Sequence, residues 1–355
     1  MAKFHSLKVA SIEHPTDESV VLTFDVPNDL KEQFKFTQGQ HITLRSEING
    51  EDTRRSYSIC SCPLDEELKV AVKKVEGGRF STFANEVLEA GALLDVMPPT
   101  GRFNVPLDPA NEKTYVAFAA GSGITPIISI IETTLRTEPK SEVMLFYGNR
   151  KTNSIIFLEK LEALKNKYVG RFSVHHILNE ERVDADLYNG RIDAEKMTEF
   201  ASYFYDVKEV DEFFTCGPEP MMLLVKETLE KMGVPSERVH LELFTSPVGK
   251  LGGDHVKAKP KVKAKSEITI QLDGHSTVIP YNSDESILDV AFNQGLDLPY
   301  ACKGGVCSTC VCKVEEGEVD MEINYALEPD ELEKGLILSC QSRPKTEKVT
   351  LNFDV

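Results

Sequence analysis

The chain has 355 residues, 41% hydrophobic and 27% charged, a globular composition long enough for two or three domains. Its net charge of −17 excludes a general nucleic-acid binder, because polyanions repel one another. No apolar run reaches the ~18 residues of a membrane span, and the opening MAKFHSLKVASIEHP lacks a secretory apolar stretch, so a cytoplasmic protein bound to neither nucleic acid nor membrane is expected.

Residues 1–107 alternate apolar and polar positions, as in SVVLTFDV (Ser19–Val26), HITLRS (His41–Ser46) and LKVAVKKV (Leu68–Val75), with turns rich in Gly, Pro and Asn between them. Short strands at this spacing predict a small antiparallel β-barrel. Arg55-Ser56-Tyr57-Ser58 ends one strand, which puts Arg55 and Tyr57 on the same face. The arginine can meet a phosphate, the tyrosine ring can stack on an isoalloxazine, and the Ser58 hydroxyl can reach its N5 edge. Taken alone, the tetrapeptide reads more plainly as a surface Arg–Tyr pair. Gly77-Gly78-Arg79-Phe80-Ser81-Thr82 then opens a helix. Glycines ahead of a helix N-terminus, with hydroxyls in its first turn, suit a phosphate; an ordinary capped turn has the same signature.

After Pro106 the texture changes. TYVAFAA (Thr114–Ala120) and EVMLFYG (Glu142–Gly148) are near-continuous apolar runs, as buried parallel strands require. Helical stretches at Thr125–Leu135 and Ser154–Asn166, a strand at Glu212–Cys216 and a helix at Pro220–Met232 complete the alternation. This predicts an α/β doubly wound parallel sheet over residues 108–247. Gly121-Ser122-Gly123-Ile124-Thr125-Pro126 follows a strand and precedes a helix, the context of a dinucleotide phosphate loop, although G-x-G-x-x-P departs from G-x-G-x-x-G. Thr215-Cys216-Gly217-Pro218 ends a later strand on the same edge of the sheet. Cys216 is either a buried thiol or a neighbour of a nicotinamide. Tyr147-Gly148-Asn149-Arg150-Lys151 ends the second strand, where an adenosine ribose belongs. With no acidic residue in that stretch, Arg150 and Lys151 lean towards the 2′-phosphate of NADPH over NADH; two solvated charges are the alternative.

Residues 248–266 hold six lysines and one aspartate without apolar periodicity, and read as an extended linker. Their charge serves solubility or tethers the last domain. Residues 267–355 carry 17 acidic and 6 basic side chains, a net −11. They open with EITIQLDGHSTVIPY (Glu267–Tyr281), a hairpin turning at Asp273-Gly274, and a helix at Ile287–Gln294. Five of the eight cysteines lie here. Cys302, Cys307 and Cys310 have C-x4-C-x2-C spacing and Cys340 follows after 29 intervening residues, the plant-type [2Fe–2S] pattern. Gly304 and Gly305 let such a loop curl. The rival is a four-cysteine zinc site, which favours paired C-x2-C knuckles. Cys312 is expected to be a small buried hydrophobe.

From Glu267 to Val355 the cysteine spacing, the loop glycines and LSCQSRP (Leu338–Pro344) resemble plant-type ferredoxins. That implies a β-grasp ferredoxin domain whose cluster is held near the surface by Cys302, Cys307, Cys310 and Cys340. From Met1 to about Pro247 the four loop elements, in this order, resemble the ferredoxin–NADP reductase superfamily. The resemblance implies FAD in the barrel, with Arg55, Tyr57 and Ser58 around the flavin and Gly78, Arg79, Phe80, Ser81 and Thr82 near its pyrophosphate. It puts the NAD(P) pyrophosphate at Gly121, Ser122, Gly123, Ile124 and Thr125, and the nicotinamide near Cys216, Gly217 and Pro218. Glu242 and Phe244, in HLELFTSP, would close over the flavin, so Ser58, Cys216 and Glu242 become the candidate catalytic residues. The whole order resembles reductase components of bacterial multicomponent oxygenases, and most closely the reductases of phenylacetyl-CoA epoxidases, through RSYSICS, AGSGITP, YGNR and TCGPEPMM. The implied path runs from NADPH (or NADH) through FAD and the [2Fe–2S] cluster to an oxygenase docked on the acidic ferredoxin domain. A reductase for another acceptor, such as a hybrid-cluster or haem protein, has the same domains. A non-enzymatic redox sensor is a third reading, with no appended signalling module to support it.

Overall fold

The computed structural model describes residues 4–244 and 266–355, which fall into two compact units. In the larger unit, apart from Arg54–Ser56 of β4, which group with the second unit, β1 (His5–Thr16), β2 (Ser19–Asp25), β3 (His41–Ile48), β4 (Glu51–Ser58), β5 (Leu68–Lys73) and β6 (Leu93–Val96) form an antiparallel sheet ordered β4-β3-β6-β1-β2-β5. Its two edges meet where Ile59 bridges Val70 and the Cys60 amide donates to the Lys69 carbonyl at 2.9 Å. The sheet thus closes into a barrel and leaves no open edge. Alternation sends Leu7, Val9, Leu22, Ile42, Leu44, Val70 and Val72 inward, and helix α1 (Arg79–Glu86) adds Phe80 and Ala84 to the same core.

The same unit continues as β7 (Thr114–Ala120), α2 (Ile124–Thr137), β8 (Glu142–Asn149), α3 (Leu158–Lys167), β9 (Phe172–Leu178), α4 (Ala194–Phe204), β10 (Glu212–Cys216), α5 (Glu219–Lys231) and β11 (Val239–Glu242). The strands form a parallel sheet ordered β11-β10-β7-β8-β9. The helix expected from Ser154 begins only at Leu158. Ile155 and Ile156 are buried ahead of it and Phe157 turns the chain at φ +64. Core burial there overrides helical spacing.

The second unit contains β12 (Ser266–Leu272), β13 (His275–Tyr281), α6 (Ile287–Asn293), β14 (Val311–Glu316), β15 (Val319–Met321), α7 (Pro329–Glu333), β16 (Leu336–Leu338), β17 (Ser342–Pro344) and β18 (Lys348–Asn352). A mixed sheet, β13-β12-β18-β14-β16, pairs β12 with β18 in parallel, and α6 contributes Ile287, Leu288 and Ala291 to its core. Asp273 and Gly274 both take positive φ, as the tight β12–β13 turn demands. Ser266 opens β12 opposite Tyr281 rather than ending the linker; the rest of the expected linker and tether lies outside the described residues. Among the described residues no helix is long and apolar enough to cross a membrane.

Candidate functional site

In the barrel, β4 delivers Tyr57 and Ser58 next to the start of α1. The Tyr57 and Phe80 rings stand 5.6 Å apart. The Ser58 hydroxyl is buried and has no hydrogen-bond partner, an orphan that a flavin edge would satisfy. Helix α1 starts at Gly78 without a side-chain cap or an acidic residue in its first turn, so its first amides are free to face an anion. Ser81 is committed to the turn, accepting from the Val75 amide at 3.1 Å, and a Cβ on Gly78 would stand 2.5 Å from its Oγ. Thr82 is half-buried in the same turn. Arg79 pairs with Glu51 on the surface. Arg55 is exposed and donates to the Arg54 carbonyl at 2.7 Å. These features fit a bound FAD at Tyr57, Ser58 and the α1 turn.

In the parallel sheet the two expected loops meet. Gly121, Ser122 and Gly123 form one turn between β7 and α2, and α2 also starts without a side-chain cap or an acid. A Cβ on Gly123 would lie 2.0 Å from the Cys216 carbonyl oxygen, so only glycine fits where the loops after β7 and β10 touch. Thr125 donates to the Ser122 carbonyl at 3.0 Å and Tyr147 to the Gly121 carbonyl at 2.9 Å, which fix the turn. Gly217 sits against Ala120, while Ile124 is buried and Pro218 exposed. The uncapped amides above these glycines fit a dinucleotide pyrophosphate.

Three residues that the motifs do not contain join this edge. Lys73, from β5, reaches to within 3.6 Å of where a Gly121 side chain would begin. Burial and the neighbouring Arg150 lower its pKa. His41, from β3, lies with Nδ1 3.7 Å from Glu242 Oε1, the two side chains 6% and 15% exposed. That is too long for a hydrogen bond. Burial raises Glu242 to about 8 and lowers His41 to about 4, so both are neutral at pH 7 and the contact is not an ion pair. Glu242 is in register with Cys216 across β10 and β11; burial, then the Glu242 carboxyl, holds the Cys216 thiol far above its usual range. Phe244 is half-buried and falls in the other unit. The third residue is Glu18, in the β1–β2 turn. It pairs with Arg150, supplying the acid that the Tyr147–Lys151 stretch lacks, while Lys151 is exposed.

In the second unit the four expected thiols form two pairs. Cys302 and Cys307 have sulfurs 3.1 Å apart, and Cys310 hydrogen-bonds Cys340. Among the described residues no three His, Cys, Asp or Glu side chains converge on one metal ion. Two pairs of thiols suit two irons, one pair each, better than a single tetrahedral zinc. The Cys307 thiol first, then the Gly304, Val306 and Cys307 amides, draw the Cys302 pKa down, favouring a thiolate ligand. Gly305 curls the loop at φ +74, where a Cβ would lie 2.9 Å from the Ile323 carbonyl oxygen. Its second left-handed residue is Lys303 at φ +51 rather than Gly304. The Lys303 ammonium bonds Asp289 at 2.7 Å, and its carbonyl accepts from Gln341 at 3.0 Å. Cys312 is fully buried in β14.

Three family models match the chain: an oxidoreductase FAD-binding domain over residues 6–105, an oxidoreductase NAD-binding domain over 118–227 and a 2Fe-2S iron-sulfur cluster binding domain over 270–345. The chain is 47% identical to a subunit of the 1,2-phenylacetyl-CoA epoxidase of Escherichia coli (strain K12), over 100% of this chain and 99% of that one. It is 34% identical to the ferredoxin reductase component of 3-ketosteroid-9-alpha-monooxygenase from Rhodococcus rhodochrous, over 98% and 96% of the two chains. Among solved structures, phthalate dioxygenase reductase, described as modular for electron transfer from pyridine nucleotides to [2Fe-2S], superposes with a TM-score of 0.59 at 25% identity, covering 99% and 98%.

Proposed function

The chain belongs to the family of reductase components of multicomponent oxygenases, with FAD-, NAD- and [2Fe–2S]-binding domains, and from that premise we propose that it delivers electrons to the oxygenase of a phenylacetyl-CoA epoxidase. The proposed domains are residues 1–107 for FAD, 108–247 for the nicotinamide nucleotide and 267–355 for the cluster, joined by 248–266. FAD, when bound, supplies the conversion of a hydride into single electrons.

The chain's own side chains do the positioning. Tyr57 and Ser58 orient the isoalloxazine, and the first α1 amides, in the turn that Ser81 holds, seat its pyrophosphate. The Gly121–Thr125 turn and Lys73 seat the second pyrophosphate. Cys216 stays a neutral thiol and Glu242 keeps its proton at pH 7, so each presents a neutral donor beside the reacting rings and no carboxylate opposes a negative charge developing there. Cys302 with Cys307 and Cys310 with Cys340 would each hold one iron.

The observation carrying this reading is the sorting of the four thiols into two pairs, three of them from one loop and Cys340 from the turn between β16 and β17, which suits a one-electron outlet. The proposed docking face surrounds that loop. Exposed Tyr325, whose amide donates to the Gly305 carbonyl at 2.9 Å, and Leu332 stand among Glu322, Glu328, Asp330 and Glu333. Anaerobic titration with NADH or NADPH should bleach flavin and cluster bands together, at about two irons per chain. Adding phenylacetyl-CoA epoxidase oxygenase subunits should then support epoxidation. If only the flavin bleaches, the cluster is not the outlet; if both bleach without epoxidation, the acceptor is another protein.

A further inference from the structure

The side-chain amide of Gln341 stands between the two thiol pairs of the second unit. Gln341 follows Cys340 in the turn between β16 and β17, and its backbone is already paired: its N–H donates to the Leu338 carbonyl at 2.9 Å, and its carbonyl accepts from the Glu322 amide at 3.0 Å. The side chain is buried against the cluster loop, its Cγ 3.2 Å from where a Gly305 side chain would begin. Its Nε2 donates to the Lys303 carbonyl at 3.0 Å and lies 3.6 Å from the Cys340 sulfur, a hydrogen-bond distance for an acceptor as large as sulfur. The carbonyl fixes which end of the amide is nitrogen, and that nitrogen carries one hydrogen for each acceptor.

One nitrogen therefore serves both thiol pairs. Lys303, next to Cys302, sits at φ +51, an angle that costs a residue with a Cβ and has to be held from outside. The Gln341 bond to its carbonyl and the Asp289 bond to its ammonium hold it. The second hydrogen faces a sulfur that, as an iron ligand, gains negative charge when the cluster takes an electron. A hydrogen bond to that sulfur strengthens on reduction, and burial keeps water from replacing it. Resting on the cluster reading above, we infer that Gln341 is a positioning residue that tunes the electron outlet: its amide ties the Cys302 side of the loop to Cys340 and raises the reduction potential of the cluster held there.

The readout is the midpoint potential, from an anaerobic dye-mediated titration followed by cluster absorbance and by the electron-spin signal of the reduced protein. Gln341→Met and, independently, Gln341→Leu keep an apolar side chain in place and lose both hydrogens. Each should retain about two irons per chain and shift the reduction equilibrium about tenfold towards the oxidised form, a fall of ~59 mV for one electron. An exchangeable-proton coupling in the spin spectrum of the unaltered protein should vanish with the shift. Ser342→Ala loosens the same turn, by removing a buried hydroxyl that donates to the Leu338 carbonyl at 2.8 Å, and should leave the potential in place. Four results overturn the inference while leaving the reductase reading intact. They are an unchanged potential in a cluster-bearing Gln341 variant, a rise there (the mark of water reaching the cluster), an equal fall in Ser342→Ala, and failure of both Gln341 variants to hold a cluster. Zinc in place of iron at these thiols in the unaltered protein overturns that reading and this inference together.

Discussion

Glu242 and His41 face each other 3.7 Å apart, each held neutral by burial, and their pH dependences run in opposite directions. In the fold Glu242 keeps its proton to about pH 8, against 4.5 in the unfolded chain. Its contribution to stability is therefore full below about 4.5 and is lost as pH rises through about 8. His41 stays neutral down to about 4, against 6.5 when unfolded. It stabilises above about 6.5, and that stability is lost as pH falls through about 4. Between pH 7 and 8, then, Glu242 is the member of the pair whose stabilisation still falls. The Glu242→Gln variant should lose this slope, so that its Tm advantage over the unaltered protein grows with pH. Calorimetric scans of both proteins at constant ionic strength test this. Parallel Tm profiles would mean that Glu242 is ionised in the fold. Neither residue of the pair announces the other in sequence: His41 is an unremarked position of β3, brought to β11 only by the fold.

At the scale of elements, Glu138 shows how the parallel sheet is tied to the barrel's exit. It caps the end of α2 and is fully buried. Its carboxyl oxygens accept from the Asp108 amide, Asn111 Nδ2, the Tyr115 hydroxyl and the Ser141 hydroxyl, at 2.7–3.1 Å. Arg171 donates to the last carbonyls of α2, those of Leu135 and Glu138. Glu138→Ala would strand the buried Tyr115 and Ser141 hydroxyls, while the Asp108 amide and Asn111 Nδ2 lie nearer the surface, and should cost about 3 kcal/mol. Glu138→Gln should cost less, because the two hydroxyls can rotate to donate to its oxygen or accept from its amide. Urea titrations would separate the two, and equal losses would deny the network its role. Elements with strong local signals were legible in sequence: the apolar run Thr114–Ala120 is β7 to the residue, and Asp273-Gly274 turns the hairpin as expected. Where a local pattern competed with burial it misled, as at Ser154, whose helix waits for two buried isoleucines. In the cluster loop, sequence offered two glycines as the flexible residues. Gly305 takes a left-handed turn as expected, but Lys303 rather than Gly304 takes the other, stabilised by contacts to Asp289 and Gln341 that no spacing rule reveals. The glycine loops were readable because close backbone approach admits only one residue type. Lys73 and Glu18 were not, because their role depends on which strand end the barrel presents to them.

Across the whole molecule, charge is divided as unevenly as the redox groups. Residues 267–355 carry a net −11, residues 248–266 a net +5, and the first 247 residues the remaining −11. The proposed docking face repeats this in miniature, with four exposed acids around Tyr325 and Leu332. Such a face speeds encounter with a basic partner through long-range attraction, which salt screens once the Debye length falls to ~8–10 Å. Nucleotide binding differs, since a cavity beside Arg150 sets three cations against three anions and offers little net field. Raising ionic strength from about 10 to 200 mM should therefore slow electron delivery to the oxygenase component by about tenfold. Flavin reduction by NADH should change much less over the same range. Stopped-flow measurement of both steps on one preparation gives the comparison. Equal salt slopes would shift the electrostatics away from the cluster face, and a delivery rate that rose with salt would require an acidic partner surface, contrary to the proposed docking. Glu328→Gln with Glu333→Gln should reduce the slope of delivery alone, because these exposed charges belong to the proposed docking face in the ferredoxin unit.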